Sequence, residues 1–322
     1  MNPVLIVLLV LLAAPALLVL FTWGAARIVE ATLPPQGRFV DVPGARLHVV
    51  EKGRGPAVLL IHGLSGQLGH FTYGVVDRLA REHRVVAVDR PGSGYSVRSP
   101  GAAATLSAQA DAMAALIEKL QLGRPLVVGH SLGGAVALCL AQRHPQRVSG
   151  LALVAPLTHA PESVPSAFNG LMIARPWVRT LVAWTLALPV LLLRRKVVLG
   201  LVFGPEPVPR DFTTRGGGLL GVRPSHFVGA STDLDAVPHD LPELEKGYGS
   251  MRLPVQVLYG RSDGVLSPAA QGQSLTTALP GAQLTLVDGG HMLPVTQPAL
   301  TAEFISSVAL KLHAPQGPLA SA

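Results

Sequence analysis

The chain has 322 residues, of which 49% are apolar and 14% are charged, and its formal net charge is +7. This composition excludes a disordered chain, and the length suffices for one catalytic domain with an insertion. The positive charge does not indicate nucleic-acid binding, because the basic residues are scattered and aromatic residues make up only 5%. Cys139 is the single cysteine, so no internal disulfide forms, and we interpret it as a small buried residue of a helix.

The first predicted element is a membrane helix. Pro3–Trp23 contains no charged residue and is long enough to cross a bilayer core of roughly 30 Å. A cleaved signal peptide is the alternative, but it normally has basic residues before a shorter apolar stretch. We therefore predict a single-pass membrane anchor over residues 1–26 and a linker over 27–38. Arg27 and Arg38 favour a cytoplasmic catalytic domain, but two arginines leave the side of the membrane open.

Strand and helix signals alternate over residues 39–155, the first part of the predicted core. A hairpin around Pro43-Gly44 comes first. Apolar, β-branched runs then predict buried strands at Ala57–Ile61, Arg84–Asp89, Pro125–Gly129 and Val148–Ala155. The segments between them predict helices at Phe71–Glu82, Leu106–Leu122 and Leu132–Arg143. This alternation is typical of a mostly parallel sheet covered by helices on both faces.

The alternation stops at Pro156. Residues 156–249 are rich in proline and glycine, include an apolar stretch and show no strand pattern, so we predict a helical cap over the active site. Within this segment, Arg194-Arg195-Lys196 lies between apolar residues. Such a basic collar is typical either of contact with an anionic membrane surface or of a solvated helix face, and both interpretations stay open.

The predicted core resumes over residues 250–313. Strands are expected at Val255–Tyr259 and Gln283–Val287, and helices at Ala269–Ala278 and Pro298–Leu312. Residues 314–322 are expected to form a loose tail.

The candidate nucleophile is Ser131. Gly129-His130-Ser131-Leu132-Gly133 fits the Gly-x-Ser-x-Gly elbow, in which a serine lies on a sharp turn between a strand and a helix. Glycines on both sides let the strand and helix approach each other while the serine is held in a strained, exposed conformation. An ordinary glycine-rich turn is the alternative, but a predicted strand and a predicted helix flank this one.

A serine hydroxyl needs a neighbouring base, and an acid that orients the base. After such an elbow, the acid and then the histidine follow later strands. His291, in the loop after the strand Gln283–Val287, is the predicted base. Three other downstream histidines are less well placed in the cap or near the tail, namely His226, His239 and His313.

Asp263 is the predicted acid, because it directly follows the strand Val255–Tyr259. Asp288 is too close in sequence to His291 to turn back on it, so we interpret it as a turn residue. Asp233 and Asp235 are weaker candidates, since both lie in the predicted cap.

Acyl transfer also needs donors for the negative charge that develops on the substrate's carbonyl oxygen. The backbone N–H of Leu132, which follows the nucleophile, is one predicted donor. The N–H of Leu64, after Gly63 in the loop that follows Ala57–Ile61, is the other. We interpret His62 as a residue that structures this loop.

Five motifs together resemble the α/β-hydrolase fold superfamily: Leu60-Ile61-His62-Gly63, Asp89 to Ser96, Gly129 to Gly134, Gly260-Arg261-Ser262-Asp263 and Gly289-Gly290-His291. The nearest branch holds small esterases, haloperoxidase-like perhydrolases and carbon–carbon bond hydrolases. The resemblance covers Phe39 to His313, except most of the cap. It implies a mostly parallel eight-stranded sheet, a Ser131–Asp263–His291 triad, an oxyanion hole at Leu64 and Leu132, and no cofactor. Serine at the elbow argues against the related epoxide hydrolases and haloalkane dehalogenases, which carry aspartate there.

The leading functional hypothesis is a membrane-anchored serine hydrolase that cleaves a lipophilic carboxylic ester through an acyl-enzyme. A carbon–carbon bond hydrolase or perhydrolase of the same fold is the alternative enzyme, and a ligand-binding protein without turnover is the alternative from another class. The expected partners are a small lipophilic ester or acyl substrate and the membrane, but not nucleic acid. The motifs do not distinguish an ester from a thioester, an amide or a carbon–carbon bond.

Overall fold

A computed structural model describes residues 3–161 and 163–313 of the chain. Its strands are β1 (Arg38–Val42), β2 (Ala45–Lys52), β3 (Ala57–Ile61), β4 (Arg84–Val88), β5 (Val97–Arg98), β6 (Leu126–His130), β7 (Gly150–Val154), β8 (Val255–Gly260) and β9 (Gln283–Val287). Eight of them form one sheet in the order β1-β2-β4-β3-β6-β7-β8-β9, and the short β5 pairs with β2. From β4 to β9 the pairs are parallel, whereas β2 is antiparallel to both β1 and β4.

The α-helices are α1 (Pro3–Thr32), α2 (Gly69–Thr72), α3 (Val75–Leu79), α4 (Leu106–Lys119), α5 (Leu132–Arg143), α6 (Pro176–Trp184), α7 (Ala187–Phe203), α8 (Pro224–Lys246), α9 (Ser274–Ala278), α10 (Leu293–Thr296) and α11 (Pro298–His313). The hairpin and the alternating order of the core agree with the sequence predictions. The predicted helix Phe71–Glu82 is wrong as a single element, because Gly74 leaves the helical conformation and separates α2 from α3.

Successive side chains of a strand point to opposite sides of the sheet. Because the central strands consist mostly of consecutive apolar residues, both faces of the sheet are apolar. In β3, Leu59 and Ile61 belong to one buried cluster together with α4 and α5. Val58 and Leu60 belong to a second cluster with α3 and α11 on the other face. Each fully buried aliphatic side chain of this kind stabilises the fold by about 1.5–3 kcal/mol.

The helix α1 is longer than the predicted anchor. It continues to Thr32 without glycine or proline after Gly24, so the first part of the predicted linker is helical, and Pro34-Pro35 follows its end. Within the described residues, Ala13–Thr32 is the one helix that is long and apolar enough to cross a membrane, judged by length and composition, and a signal sequence can have the same properties.

The segment between β7 and β8, called the cap below (residues 156–249), contains α6, α7 and α8, and its described residues include no strand. It lies on the carboxyl side of β7 and β8, the edge of a parallel sheet where ligands bind in open α/β folds. The predicted tail, residues 314–322, lies outside the described residues.

Candidate active site

Ser131 occupies a strained turn between β6 and α5. Its φ is 53° and its ψ is −124°, a backbone conformation that costs a residue with a side chain about 1–3 kcal/mol. Backbone hydrogen bonds hold the turn: the Ser131 N–H donates to Val154 O at 3.1 Å, and the Leu157 N–H donates to Ser131 O at 2.9 Å. The neighbouring strand and the start of the cap therefore fix the serine.

The glycines around Ser131 are required by close approach. A Cβ atom at Gly129 would lie 2.4 Å from Gly133 O, and one at Gly133 would lie 2.2 Å from Ile61 O. A Cβ atom at Gly134 would lie 2.4 Å from Cβ of Pro156. Any side chain at these positions would push α5 away from the strand ends and displace the serine.

His291 and Asp263 form a buried pair. Nδ1 of His291 lies 2.7 Å from Oδ2 of Asp263, and the histidine and aspartate are 3% and 8% exposed. The other oxygen of Asp263 accepts hydrogen bonds from the N–H groups of Val265 and Leu266, both at 2.9 Å. Because a carboxylate only accepts, Nδ1 carries the proton of the neutral imidazole, and Nε2 is left to accept one.

The loops after β8 and β9 bring this pair together. The Arg261 N–H donates to Val287 O at 2.8 Å, and the Ser262 N–H donates to Gly289 O at 2.9 Å. Gly260 allows the approach, since a Cβ atom there would lie 2.3 Å from Gly289 O. The two loops therefore extend the pairing of adjacent strands into the site.

The loop after β3 passes over Ser131. A Cβ atom at Gly63 would lie 2.8 Å from the Cβ and 3.3 Å from the Oγ of Ser131. The next residue is Leu64, and Leu132 is the first residue of α5, where a backbone N–H has no partner within its helix. Among the described residues, neither of these two N–H groups has a hydrogen-bond acceptor. Both are available to a ligand oxygen beside the serine.

A cavity of about 460 Å³ contains Ser131 and His291 in its wall. Leu64 also lines it, so three of the predicted site residues share one cavity, while Asp263 lies behind His291. The rest of the wall includes aliphatic side chains of α7, among them Leu188, Leu191, Val198, Leu199 and Val202. An apolar cavity with a few polar groups at the serine is typical of a small-molecule site.

The other candidate residues have different environments. The Asp288 side chain is fully exposed, and His239 is exposed on α8. His226 lies 2.9 Å from Oγ of Ser65, and burial lowers the pKa of His226 to about 4. Burial raises the pKa of the Cys139 thiol to about 12, as expected for a helix residue packed inside the core.

Two residues that the sequence did not indicate support His291. Nε2 of His130 donates to the backbone oxygen of His291 at 3.0 Å, and burial holds the pKa of His130 well below 6.5. Glu206, in the cap, accepts a hydrogen bond from the Gly290 N–H at 2.9 Å. His130 belongs to the elbow motif, so its position beside the serine could be read from the sequence. No pattern in the sequence distinguishes Glu206 from other charged residues of the cap.

An extended network connects the loop after β3 to the cap. Arg90 is fully buried, and its guanidinium donates to His62 O and Gly63 O at 2.9 Å each. The same group donates to Asp233 of α8 at 2.6 Å, and Asp233 also accepts from Arg98 at 2.5 Å. His62 accepts a hydrogen bond from the Arg90 N–H at 2.9 Å, which agrees with its predicted structural part in the loop.

Asp89 organises the start of the motif Asp89 to Ser96. It accepts from the N–H groups of Leu68 at 2.7 Å and Tyr95 at 2.9 Å, and it lies 2.7 Å from Nδ1 of His48. Burial lowers the pKa of His48, but the hydrogen bond and charge of Asp89 outweigh burial, so the pKa is raised above 6.5. This second histidine–aspartate pair fixes a loop and lies away from the cavity wall.

A comparison of the sequence with family models matches residues 56–298 to the alpha/beta hydrolase fold. The chain belongs to the alpha/beta hydrolase family. The matched range contains Ser131, Asp263 and His291 and the seven strands from β3 to β9.

Known proteins similar to this alpha/beta hydrolase include two of comparable length. An uncharacterized protein of Mycobacterium tuberculosis is 30% identical over 285 residues, which cover 83% of this chain and 79% of that protein. A 2-hydroxy-6-oxononadienedioate/2-hydroxy-6-oxononatrienedioate hydrolase of Burkholderia vietnamiensis is 29% identical, covering 74% of this chain and 82% of that enzyme. Among solved structures, a membrane phospholipase A superposes with a TM-score of 0.66 at 23% identity, covering 98% of this chain and all of the other. At that identity the superposition shows the shared fold.

Proposed function

We propose that this alpha/beta hydrolase is a membrane-anchored serine hydrolase that cleaves a lipophilic carboxylic ester. The observation that carries the proposal is the single cavity in which the strained Ser131 and the Asp263-paired His291 both lie. Its aliphatic wall on α7 favours a lipophilic acyl group over a charged one. The apolar helix α1 favours a substrate that is concentrated in membranes.

The proposed reaction has two stages. In the first, Oγ of Ser131 attacks the ester carbonyl while Nε2 of His291 takes its proton, and His291 then protonates the leaving alcohol. In the second, a water molecule that transfers its proton to His291 attacks the acyl-enzyme and releases the acid. The N–H groups of Leu64 and Leu132 stabilise the oxyanion in both stages, and Asp263 orients His291 and stabilises its cationic form.

A fluorophosphonate probe tests this assignment, with Ser65 as the matched control. Ser65 lines the same cavity and has a φ of 50°, close to the 53° of Ser131. Its Oγ lies 2.9 Å from Nε2 of His226, but among the described residues Nδ1 of His226 has no carboxylate partner such as Asp263. Ser131→Ala should abolish labelling and lower the hydrolysis of p-nitrophenyl esters by about 10³-fold or more. Ser65→Ala should keep the label. Labelling that persists in Ser131→Ala would refute the proposal.

Carbon–carbon bond hydrolysis is the second candidate, because the Burkholderia vietnamiensis relative is named as a hydrolase of a dienedioate. Such a substrate is a diacid, whereas the α7 wall of this cavity carries one cation, Arg194, among aliphatic side chains. A panel of p-nitrophenyl esters of increasing chain length, compared with a dienone acid, separates the two reactions. Turnover of the dienone acid with no ester hydrolysis would favour the second candidate.

A further inference from the structure

The helix α7 is apolar except for the basic residues 194–196, yet protein covers it poorly. Only Leu188 and Phe203 of this helix are buried. Its exposed large side chains are Val190, Leu192, Leu193, Val197 and Leu201, and Leu193 is 84% exposed. Apolar helix surface of this extent is normally buried in a protein core or in a membrane. Since protein does not cover α7, another apolar medium is needed.

The exposed face of α7 continues onto α1 and α6. Val19, Leu20 and Trp23 of α1 border a groove together with Trp184 at the end of α6. Trp177, also on α6, is 65% exposed. These are the three tryptophans of the chain, and tryptophan is enriched where a membrane protein passes from lipid to water. If α1 crosses a bilayer, the end of α6 lies at the depth of the lipid headgroups.

The helix α1 is fixed to the folded protein rather than tethered loosely. Glu30 of α1 forms an ion pair with Arg223 at 3.2 Å, and the Arg223 side chain is only 13% exposed. Arg223 also donates to Gly94 O at 2.9 Å and lies 4.5 Å from the ring centroid of Tyr95. Tyr95 in turn donates to Leu33 O just after α1. The angle between the anchor and the cap is therefore defined by the structure.

The basic collar of α7, residues 194–196, places three positive charges around the middle of this helix. All three side chains are exposed, and none forms an ion pair within the part of the chain that the structure describes. Unpaired cations beside an apolar face are complementary to a bilayer that contains anionic phospholipid. Arg194 also lines the active-site cavity, so the charged face and the cavity meet.

We propose that the α6–α7 face docks on the surface of the anionic phospholipid bilayer that α1 enters, and that substrate reaches Ser131 from this bilayer past α7. Leu191, Val198 and Val202 line the cavity from the same helix that exposes Leu192 and Leu193 outside the cavity wall. One helix is thus both the wall of the cavity and the contact with lipid. This inference rests on α1 being the anchor of the proposed function.

Tryptophan fluorescence of the full chain in vesicles tests the docking without using enzymatic activity. Trp23→Phe and Trp184→Phe leave Trp177 as the reporter on α6. In vesicles of phosphatidylcholine and phosphatidylglycerol, lipids brominated near the headgroup should quench Trp177, and acrylamide in the water should quench it weakly. The triple variant Arg194→Gln, Arg195→Gln, Lys196→Gln should lower the ratio of docked to undocked cap about fivefold for each charge removed.

The matched control removes three exposed charges from the core with Arg54→Gln, Arg81→Gln and Lys119→Gln, and should leave the quenching unchanged. Strong acrylamide quenching without bromine quenching would place the face in water and overturn the proposal. Protection from both quenchers would mean that protein covers it, which also overturns the proposal. Fluorophosphonate labelling of the same samples reports on Ser131 separately, so failure of docking and failure of the serine mechanism are distinguishable.

Discussion

The strand ends of the core and the helices of the cap place charged side chains in different ways. In the core, Asp263 and His291 follow adjacent strands directly, and backbone hydrogen bonds join their two loops. In the cap, Asp233 lies on α8 and reaches Arg90, which is 143 positions away in sequence. The core pair is thus positioned by local strand geometry, whereas the cap pair depends on how two distant parts of the chain pack. We expect changes in the first to affect the reaction and changes in the second to affect stability.

The largest expected effect is on the core pair. Asp263→Asn keeps the shape of the side chain but removes the acceptor that holds the proton on Nδ1 of His291, so kcat should fall about 10⁴-fold with little change in Tm. Steady-state kinetics and thermal melting measure the two quantities. The control is Asp288→Asn, whose side chain is fully exposed and should leave kcat unchanged. Similar kinetics for both variants would contradict the role of Asp263.

Mutation of the Arg90–Asp233 pair should lower stability, whereas mutation of the core pair should lower activity. Asp233→Ala leaves the fully buried Arg90 without its carboxylate and should lower the free energy of unfolding by about 3–5 kcal/mol. Glu243→Ala on the same helix is the control, because its ion pair with Lys246 joins side chains that are 73% and 69% exposed and is worth about 0–1 kcal/mol. Urea unfolding measures both. Equal losses in the two variants would mean that Arg90 does not depend on Asp233.

Acid should loosen the contact between core and cap. Burial lowers the pKa of His70 and of His226 to about 4. His70 of the core contacts Phe212 of the cap, and His226 of the cap lies within hydrogen-bond distance of Ser65 of the core. Both imidazoles take up protons on unfolding at mildly acidic pH, so stability is complete above pH 6.5 and falls as the pH decreases towards 4. Each histidine should lower the free energy of unfolding by on the order of 3 kcal/mol as the pH falls across that range.

Urea unfolding at pH 7.5 and pH 5 measures this dependence. His226→Gln keeps a polar partner for Ser65 but cannot titrate, so its stability should fall less between the two pH values than that of the unaltered chain. An identical fall in both proteins would show that His226 is not responsible.

The smallest change is expected in the preference of the enzyme for the chain length of its substrate, which the cap wall of the cavity should limit. Val198→Trp narrows the cavity wall on α7 and should reduce kcat/KM for long-chain p-nitrophenyl esters relative to the acetate by about tenfold or more. The control is Leu193→Trp on the same helix, which is 84% exposed and lies outside the cavity wall. An equal change in this kcat/KM ratio in both variants would show that Val198 does not limit the chain length of the substrate.

Most elements of the core could be predicted from the sequence, because buried strands and the elbow follow from local patterns. The predicted bounds of β3, α5 and β9 agree residue for residue with the structure. The predicted site residues of the core also lie where strand ends place them, since carboxyl ends of neighbouring parallel strands meet at one edge. Local apolar periodicity and glycine spacing carry this information, and no knowledge of distant contacts is needed.

The contacts that support the site and the position of α1 come from tertiary packing and not from local sequence. Arg90 and Asp233 are 143 positions apart in sequence, and Glu206 reaches Gly290 from the cap across 84 positions. The ion pair of Glu30 with Arg223 joins segments 193 positions apart. Such contacts arise when the cap folds back over the sheet, and a pattern within a short window cannot encode them. The elbow serine is a local feature of the chain, whereas the cavity it faces is a product of the whole fold.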